Sequence, residues 1–368
     1  MTRSAEQRVI LRKNCSVQLP GFADASPADQ LHELAAWCES QHIEHDSYGE
    51  GKVVATLEQQ VAQLLGKPAA AFMPSGVMAQ LIAMKLHTEQ HRLNRFGLHQ
   101  TSHLIGHEEQ AYAALFGAHG VLVGEPNRPI VACDLANIKE PLACLFVELP
   151  MREIGGQLPS WQELEELKSA SRQRGVALHM DGARLWESRA FYSRSYAEIA
   201  EGFDSVYVSL YKGIGAIAGA VLAGSEEFIS NARLWRRRMG GTIFRQGPLI
   251  ASALMRLDTR IAQMDALYQR TLSFAVGLNG ISGLSTLPRV PQCNMLHLLF
   301  DAPVDALLEA RDKIAEQQGV WLLGFAKETE HPRRSRSEFY VGDQLLLQAN
   351  DRVIALYQQL VAMAQTAP

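Results

Sequence analysis

The sequence predicts an α/β protein with a largely parallel sheet, followed by a smaller α+β C-terminal domain. Short apolar runs of strand length alternate with helical patterns up to about residue 250, as in a sheet whose strands are joined by covering helices. Beyond that point the alternation gives way to one long helical stretch and a sparser strand–helix pattern. No Pro/Gly/Ser-rich linker marks the change, so residues 1–250 read as a large binding domain with its N-terminal segment and 251–368 as the smaller one.

Each element has its own local cause. Residues 54–66 place Leu57, Val61, Leu64 and Leu65 on one helical face, and Gly66 stops the helix. The run AAAFM (69–73) is a strand, Pro74-Ser75-Gly76 a turn, and Val77 to Leu86 an apolar helix. VLVG (121–124) and PLACLFVELP (141–150) read as buried strands. Ser160 and Glu163 have capping-box spacing, and Gly175 ends the helix they begin. VALHM (176–180), a helix near 185–201, SVYVSL (205–210) and a strand in AIAGAVLAG come next. The second domain reads as a helix over 250–277, a strand at 295–300, a helix over 303–318 and a last helix from about 350.

Composition narrows the function classes. A hydrophobic share of 47% and a charged share of 20% are ordinary for a globular chain. The net charge of -4 gives no global case for nucleic acid or an anionic membrane. No apolar run approaches the length of a bilayer span, and the N-terminus lacks the apolar core of a secretory signal. Cys15, Cys38, Cys133, Cys144 and Cys293 are odd in number and form no C-x-x-C pair. They read as reduced thiols of a cytoplasmic protein.

Ligands of open parallel sheets bind beyond the carboxyl ends of the strands, so the residues just past each strand are the candidates. After AAAFM comes Pro74-Ser75-Gly76 at a helix start, which suits a phosphate or is simply a capped turn. After VALHM stand Asp181 and Arg184. They could be a cap and its ion pair, or a carboxylate for a heteroaromatic nitrogen and a fork for a substrate carboxylate. After SVYVSL stands Lys212, with Ser209 three residues before it. Ser209 is placed to add a hydroxyl to a phosphate, or to pack as an ordinary strand residue. A phosphate cradle, a carboxylate and an imine-forming lysine at one sheet edge are what pyridoxal 5′-phosphate demands.

Five segments carry a resemblance: DSYGEG, FMPSGVMAQLIAM, HMDGARLWE, VSLYKGIGAIAGAVLAG and WRRRMGGTIFRQG, in this order over roughly residues 44–250. In them the chain resembles the L-threonine aldolase/β-eliminating lyase family of fold-type I pyridoxal-phosphate enzymes, whose large domain is aspartate aminotransferase-like. The resemblance implies that Lys212 is the Schiff-base lysine, Asp181 the partner of the pyridine nitrogen and Arg184 a ligand of the substrate carboxylate. It puts Ser75, Gly76 and the Val77 backbone at the phosphate, with Val77 in place of the usual hydroxyl residue. His103 becomes the ring-stacking histidine, with Glu108 after it, and Tyr48 a residue of the active-site mouth. Arg237 and Arg245 match basic residues that complete a neighbouring subunit's phosphate site, which implies a homodimer or homotetramer. Arg334 or Arg336 matches a second carboxylate-binding arginine.

One departure bears on the reaction. Family aldolases carry a histidine after a strand–glutamate element to handle the β-hydroxyl; here the stretch reads Glu148-Leu149-Pro150-Met151-Arg152-Glu153. Arg152 and Glu153 occupy that neighbourhood, as a salt bridge or as a different way of meeting substrate. The expected activity is cleavage of L-threonine, L-allo-threonine or a related 3-hydroxy-L-amino acid to glycine and an aldehyde. β-Elimination on another amino acid, transamination and a non-catalytic binding role are the alternatives. His99, His103 and His107 also fall at i, i+4 and i+8, a spacing that could serve zinc. Gly106 interrupts that helix and no carboxylate base lies within the spacing, so the residues favour no metal.

Overall fold

A computed structural model describes residues 3–23, 25–331 and 333–366. The chain divides into two compact units. The larger comprises Ala25–Glu153 and Leu158–Gln263; the smaller takes the N-terminal segment, Ile154–Gln157 and the chain from Met264 onward.

In the larger unit, seven strands form one sheet: β1 (Ala69–Met73), β2 (Arg95–Leu98), β3 (His119–Leu122), β4 (Cys144–Glu148), β5 (Ala177–Gly182), β6 (Ser205–Ser209) and β7 (Ala220–Gly224). Their order across the sheet is β1-β7-β6-β5-β4-β2-β3. Neighbours from β6 to β3 pair in parallel, whereas β7 runs antiparallel to both β6 and β1. Every residue of β5, β6 and β7 is buried, as in a sheet covered on both faces.

Helix α1 (Lys52–Leu64) buries Val53, Val54, Leu57 and Val61, each such side chain contributing about 1.5–3 kcal/mol by leaving water. Helix α2 (Gly76–His91) is buried over most of its length. Helix α3 (Trp161–Arg174) opens with the Ser160/Glu163 capping box, both hydrogen bonds formed, and closes on Gly175 in the left-handed region.

The helix expected near 185–201 is broken into a 3₁₀ turn at Leu185–Glu187 and short helices at Arg189–Tyr192 and Tyr196–Ala200. Ser193 adopts a left-handed backbone, and Ser195 then starts a new capping box with Glu198. The local hydrogen bonds of serine compete with helix continuation. Helices α4 (Glu226–Arg238) and α5 (Gly247–Leu278) come next, and the division between the units falls within α5.

The smaller unit is built on four antiparallel strands: β8 (Leu284–Leu287), β9 (Met295–Phe300), β10 (Lys327–Glu328) and β11 (Ser335–Tyr340). Strand β11 alternates buried Ser335, Ser337 and Phe339 with partly exposed Arg336, Glu338 and Tyr340, the signature of a sheet with one wet face. Helices α6 (Val304–Gln318) and α7 (Asn350–Gln365) belong to the same unit, as does the N-terminal helix Ala5–Asn14. Gly155 and Gly156 also belong here, both at positive φ. A Cβ on Gly155 would lie 2.2 Å from the Leu287 carbonyl oxygen, and one on Gly156 would lie 2.6 Å from Cys293 Sγ. No other residue type fits either position.

Candidate active site

Charged groups gather where β4, β5 and β6 end. The register pairs Glu148 with Asp181 and Asp181 with Tyr207, so side chains near the carboxyl ends of three neighbouring strands lie in one row. Lys212 stands just beyond β6 and is half-buried. Burial lowers its ammonium pKa; Arg184 and, more weakly, Arg152 push the same way, opposed by the carboxylates of Asp181 and Glu148. A larger fraction of Lys212 is thus the neutral amine, the form that attacks a carbonyl carbon.

Glu148 moves the other way. Part of its side chain still reaches solvent, yet burial first and the Asp181 charge second push its carboxyl up to about 8, against the pull of the Arg152 N–H, Lys212 and Arg184. The Arg152 N–H donates to Glu148 Oε1 at 3.0 Å. Asp181 is 3% exposed; its Oδ1 accepts the Ala183 N–H at 3.1 Å and its Oδ2 accepts from the Gln80 amide.

The start of α2 behaves first as a helix cap. Ser75 is exposed, and its hydroxyl accepts the Met78 N–H at 3.2 Å. Gly76 has a steric cause, since a Cβ there would lie 2.1 Å from the Tyr207 hydroxyl. Val77 packs partly buried against the core. Tyr207 lies close to Asp181, Glu108 and Ser209, and burial drives its phenol well above the usual range. Ser209 Oγ is fully covered and makes no hydrogen bond of ordinary geometry.

His103 Nδ1 meets Glu108 Oε1 at 2.8 Å, and the other oxygen of that carboxylate is buried without a partner. The His107 ring lies 4.9 Å from that of His103, and His107 Nε2 meets Glu153 Oε1 at 3.0 Å. Arg152 is 3.6 Å from the same carboxylate. The spacing of His99, His103 and His107 does not become one helical face. His99 comes directly after strand β2, buried, with its two ring nitrogens on Thr101 Oγ1 and the Glu125 carbonyl. Among the described residues, no group of three or more His, Cys, Asp and Glu side chains could hold a metal ion.

Lys212, Asp181, Arg184, Glu148 and Arg152 therefore form one electrostatic cluster, and Tyr207 joins Ser209, Glu108 and His103 to it. The other expected residues have neighbours of their own. Tyr48 and Arg237 line a cavity of about 490 Å³ with Glu50, Glu58 and Arg236, and that cavity includes none of the lysine cluster. Phe244 packs edge-on against Tyr48 and beneath the Arg245 guanidinium, with both ring-centroid distances 5.2 Å. In the smaller unit Arg334 holds Asp301 at 2.9 Å, and Arg336 sits in β11 opposite Leu299 and Lys327. Sequence reasoning overlooked Tyr207, Gln80 and His179. The period of two along a strand could have exposed the first and last, by setting Tyr207 with Ser209 and His179 with Asp181 on one face.

Fold and site together define an α/β protein of the fold-type I class, with a lysine, an aspartate and an arginine at the carboxyl edge of its sheet. Residues 30–301 match the beta-eliminating lyase family, and the chain belongs to that family. A solved structure from Listeria monocytogenes EGD-E, provisionally named an L-allo-threonine aldolase, is 35% identical. It superposes with a TM-score of 0.90 over 96% of this chain and 97% of its own. Another, from Exiguobacterium sp. 255-15, is provisionally named an aromatic amino acid beta-eliminating lyase/threonine aldolase; it is 33% identical with a TM-score of 0.90, covering 95% of this chain and 99% of its own. Low-specificity L-threonine aldolase 1 of Arabidopsis thaliana is 28% identical over 320 residues, 84% of this chain and 88% of its own. No described helix is long and apolar enough to cross a membrane.

Proposed function

We propose that this chain is a pyridoxal 5′-phosphate-dependent carbon–carbon lyase that cleaves L-threonine, L-allo-threonine or a related 3-hydroxy-L-amino acid to glycine and an aldehyde. The observation that carries the reading is the half-buried Lys212 amine, its proton affinity lowered, in one cluster with Asp181, Glu148 and Arg184. The names of the similar proteins support the same chemistry.

The donor set fits the cofactor. Lys212 would hold its aldehyde carbon, Asp181 its ring nitrogen and His103 one ring face. At the start of α2 Gly76 lacks a Cβ and lies against the Tyr207 hydroxyl; its backbone N–H, with Ser75, the Val77 backbone and the Ser209 hydroxyl, which has no partner of ordinary geometry, would hold the phosphate. When bound, the cofactor supplies an electron sink for the substrate's α-carbon.

The chain's own residues do the rest. Arg184 grips the substrate carboxylate through its planar fork, with Arg152 and Arg336 as further substrate contacts; Tyr48, which lines a cavity with Arg237, would meet the substrate of a neighbouring subunit. The imidazole–carboxylate pair His107–Glu153 is the site's acceptor for the β-hydroxyl proton: as that proton leaves, the Cα–Cβ bond breaks, the aldehyde departs and the α-carbon takes up a proton. Arg237 and Arg245, apart from Lys212 within one chain, serve the phosphate of a neighbouring subunit in a homodimer or homotetramer in the cytoplasm.

Incubation with L-threonine tests the reading. Glycine and acetaldehyde in equal amounts are expected, and ammonia with 2-ketobutyrate would instead establish β-elimination. The second outcome is the competing reading, favoured by Met151-Arg152-Glu153 standing where aldolases of the family carry a histidine. Borohydride reduction should fix the cofactor to Lys212, and a chain that takes up none overturns both readings.

A further inference from the structure

Below Asp181, between α2 and the sheet, runs a line of polar side chains that the proposed reaction leaves unused. Helix α2 contributes Gln80 and His87, β5 His179 and β6 Ser205, and none is more than 1% exposed. His87 Nε2 lies 2.7 Å from Ser205 Oγ, Ser205 Oγ 2.7 Å from His179 Nδ1, and His179 Nε2 2.8 Å from Gln80 Oε1. The Gln80 amide then meets Asp181 Oδ2. The strand register makes this line possible by setting His179 beside Ser205.

Donor chemistry gives the line a direction. An ionised Asp181 only accepts, so Gln80 turns its NH₂ toward it and its oxygen toward His179. That oxygen requires N–H on His179 Nε2, which leaves Nδ1 to accept the Ser205 hydroxyl, and Ser205 in turn accepts from His87 Nε2–H. His87 Nδ1 is then a bare lone pair, in keeping with its lack of any partner. The reversed chain would bury an unpaired N–H there, and such groups are rarer than unpaired acceptors. Both imidazoles are neutral: burial drives His179 well below its usual range and His87 to about 3. Four donors thus point the same way and end on one carboxylate, each polarising the next.

We propose that Gln80 and His179 are positioning residues for Asp181, and that the hydrogen-bond line starting at His87 fixes that carboxylate in orientation and in ionised form so that it can keep a proton on a cofactor's ring nitrogen. The inference rests on the proposed cofactor. Donors without formal charge favour the carboxylate over the carboxylic acid without neutralising it. A cation at His179 would weaken the pairing of Asp181 with a protonated ring.

The test uses full-length protein stripped of cofactor and titrated with pyridoxal 5′-phosphate carrying ¹⁵N in its ring. Gln80→Leu should weaken binding roughly tenfold, the worth of one hydrogen bond to an ion, and move the ring-nitrogen signal toward the unprotonated position. His179→Leu should shift the signal the same way. His179→Gln, which can again present N–H to Gln80, should restore much of it. Ser205→Ala removes only a hydroxyl from mid-line and decides the matter if the leucine variants do not fold; it should produce a smaller shift of the same sign. Folded variants that keep the parent's affinity and nitrogen signal would show the line to be packing alone and overturn the proposal. A parent chain that binds no cofactor overturns the cofactor reading and this inference together.

Discussion

Asp181 has two surroundings that differ in kind. Toward solvent stand Glu148, Arg184, Arg152 and Lys212, where burial and neighbouring charges shift the proton affinities of Glu148 and Lys212. Toward the core stand Gln80, His179, Ser205 and His87, uncharged and linked in single file. Close charges and burial shift proton affinities furthest, and a fixed orientation is best held by groups that stay uncharged. The solvent side is therefore suited to handling protons, and the core side to keeping one carboxylate still.

The contrast can be broken in order of effect. Lys212→Ala, on the reactive side, should abolish borohydride-stable labelling and lower threonine cleavage by several orders of magnitude; turnover near the parent's would remove the lysine from the chemistry. Arg184→Lys keeps the charge and loses the fork, so KM for threonine should rise about tenfold with a smaller change in kcat, as steady-state kinetics would show.

Glu148→Gln sharpens the comparison without touching the core side. The folded carboxyl titrates at about 8 and the unfolded one near ~4.3, so the native state binds the extra proton between them. The contribution of Glu148 to stability is full below that window and is lost as pH rises through about 8. Relative to the parent, Glu148→Gln should therefore gain melting temperature from about pH 5 to about pH 9; a constant difference would mean that Glu148 ionises normally. The smallest effect belongs to Ser75→Ala, which should destabilise the cofactor-free chain by about 1 kcal/mol through loss of the cap. An unchanged melting temperature would leave Ser75 with no capping role.

Much of this was legible in the residues. The strands AAAFM and SVYVSL, the Ser160/Glu163 box and the final helix from 350 all stand out because their causes are local. Lys212, Asp181 and Arg184 were legible as strand-end residues, and their convergence results from β5 and β6 being parallel neighbours. Strand β2, RFGL, escaped notice because its charged first residue and its glycine hide a four-residue strand. Its Gly97 is there for packing, since a Cβ would lie 2.7 Å from Leu145 Cδ1. The line behind Asp181 was hidden for another reason: Gln80 and His179 are 99 positions apart, and only register and helix docking bring them together. Gly155 and Gly156 answer to close approaches by Leu287 and Cys293, which lie more than a hundred positions away in the sequence.

The reversed direction of β7 has a consequence for Lys212. Parallel strands need a long crossover with a helix, but β6 and β7 run antiparallel and join directly through the segment that carries the lysine. That segment is stitched at both ends, Leu210 N–H to the Gly219 carbonyl at 3.1 Å and Ala216 N–H to the Leu210 carbonyl at 2.9 Å, while Ser252 takes the Ile217 N–H at 3.0 Å. The lysine thus rides on a short, moored tether whose backbone has little slack. Its amine can swing on four methylenes between a resting partner and an incoming amino acid, and the main chain need not move for it to return.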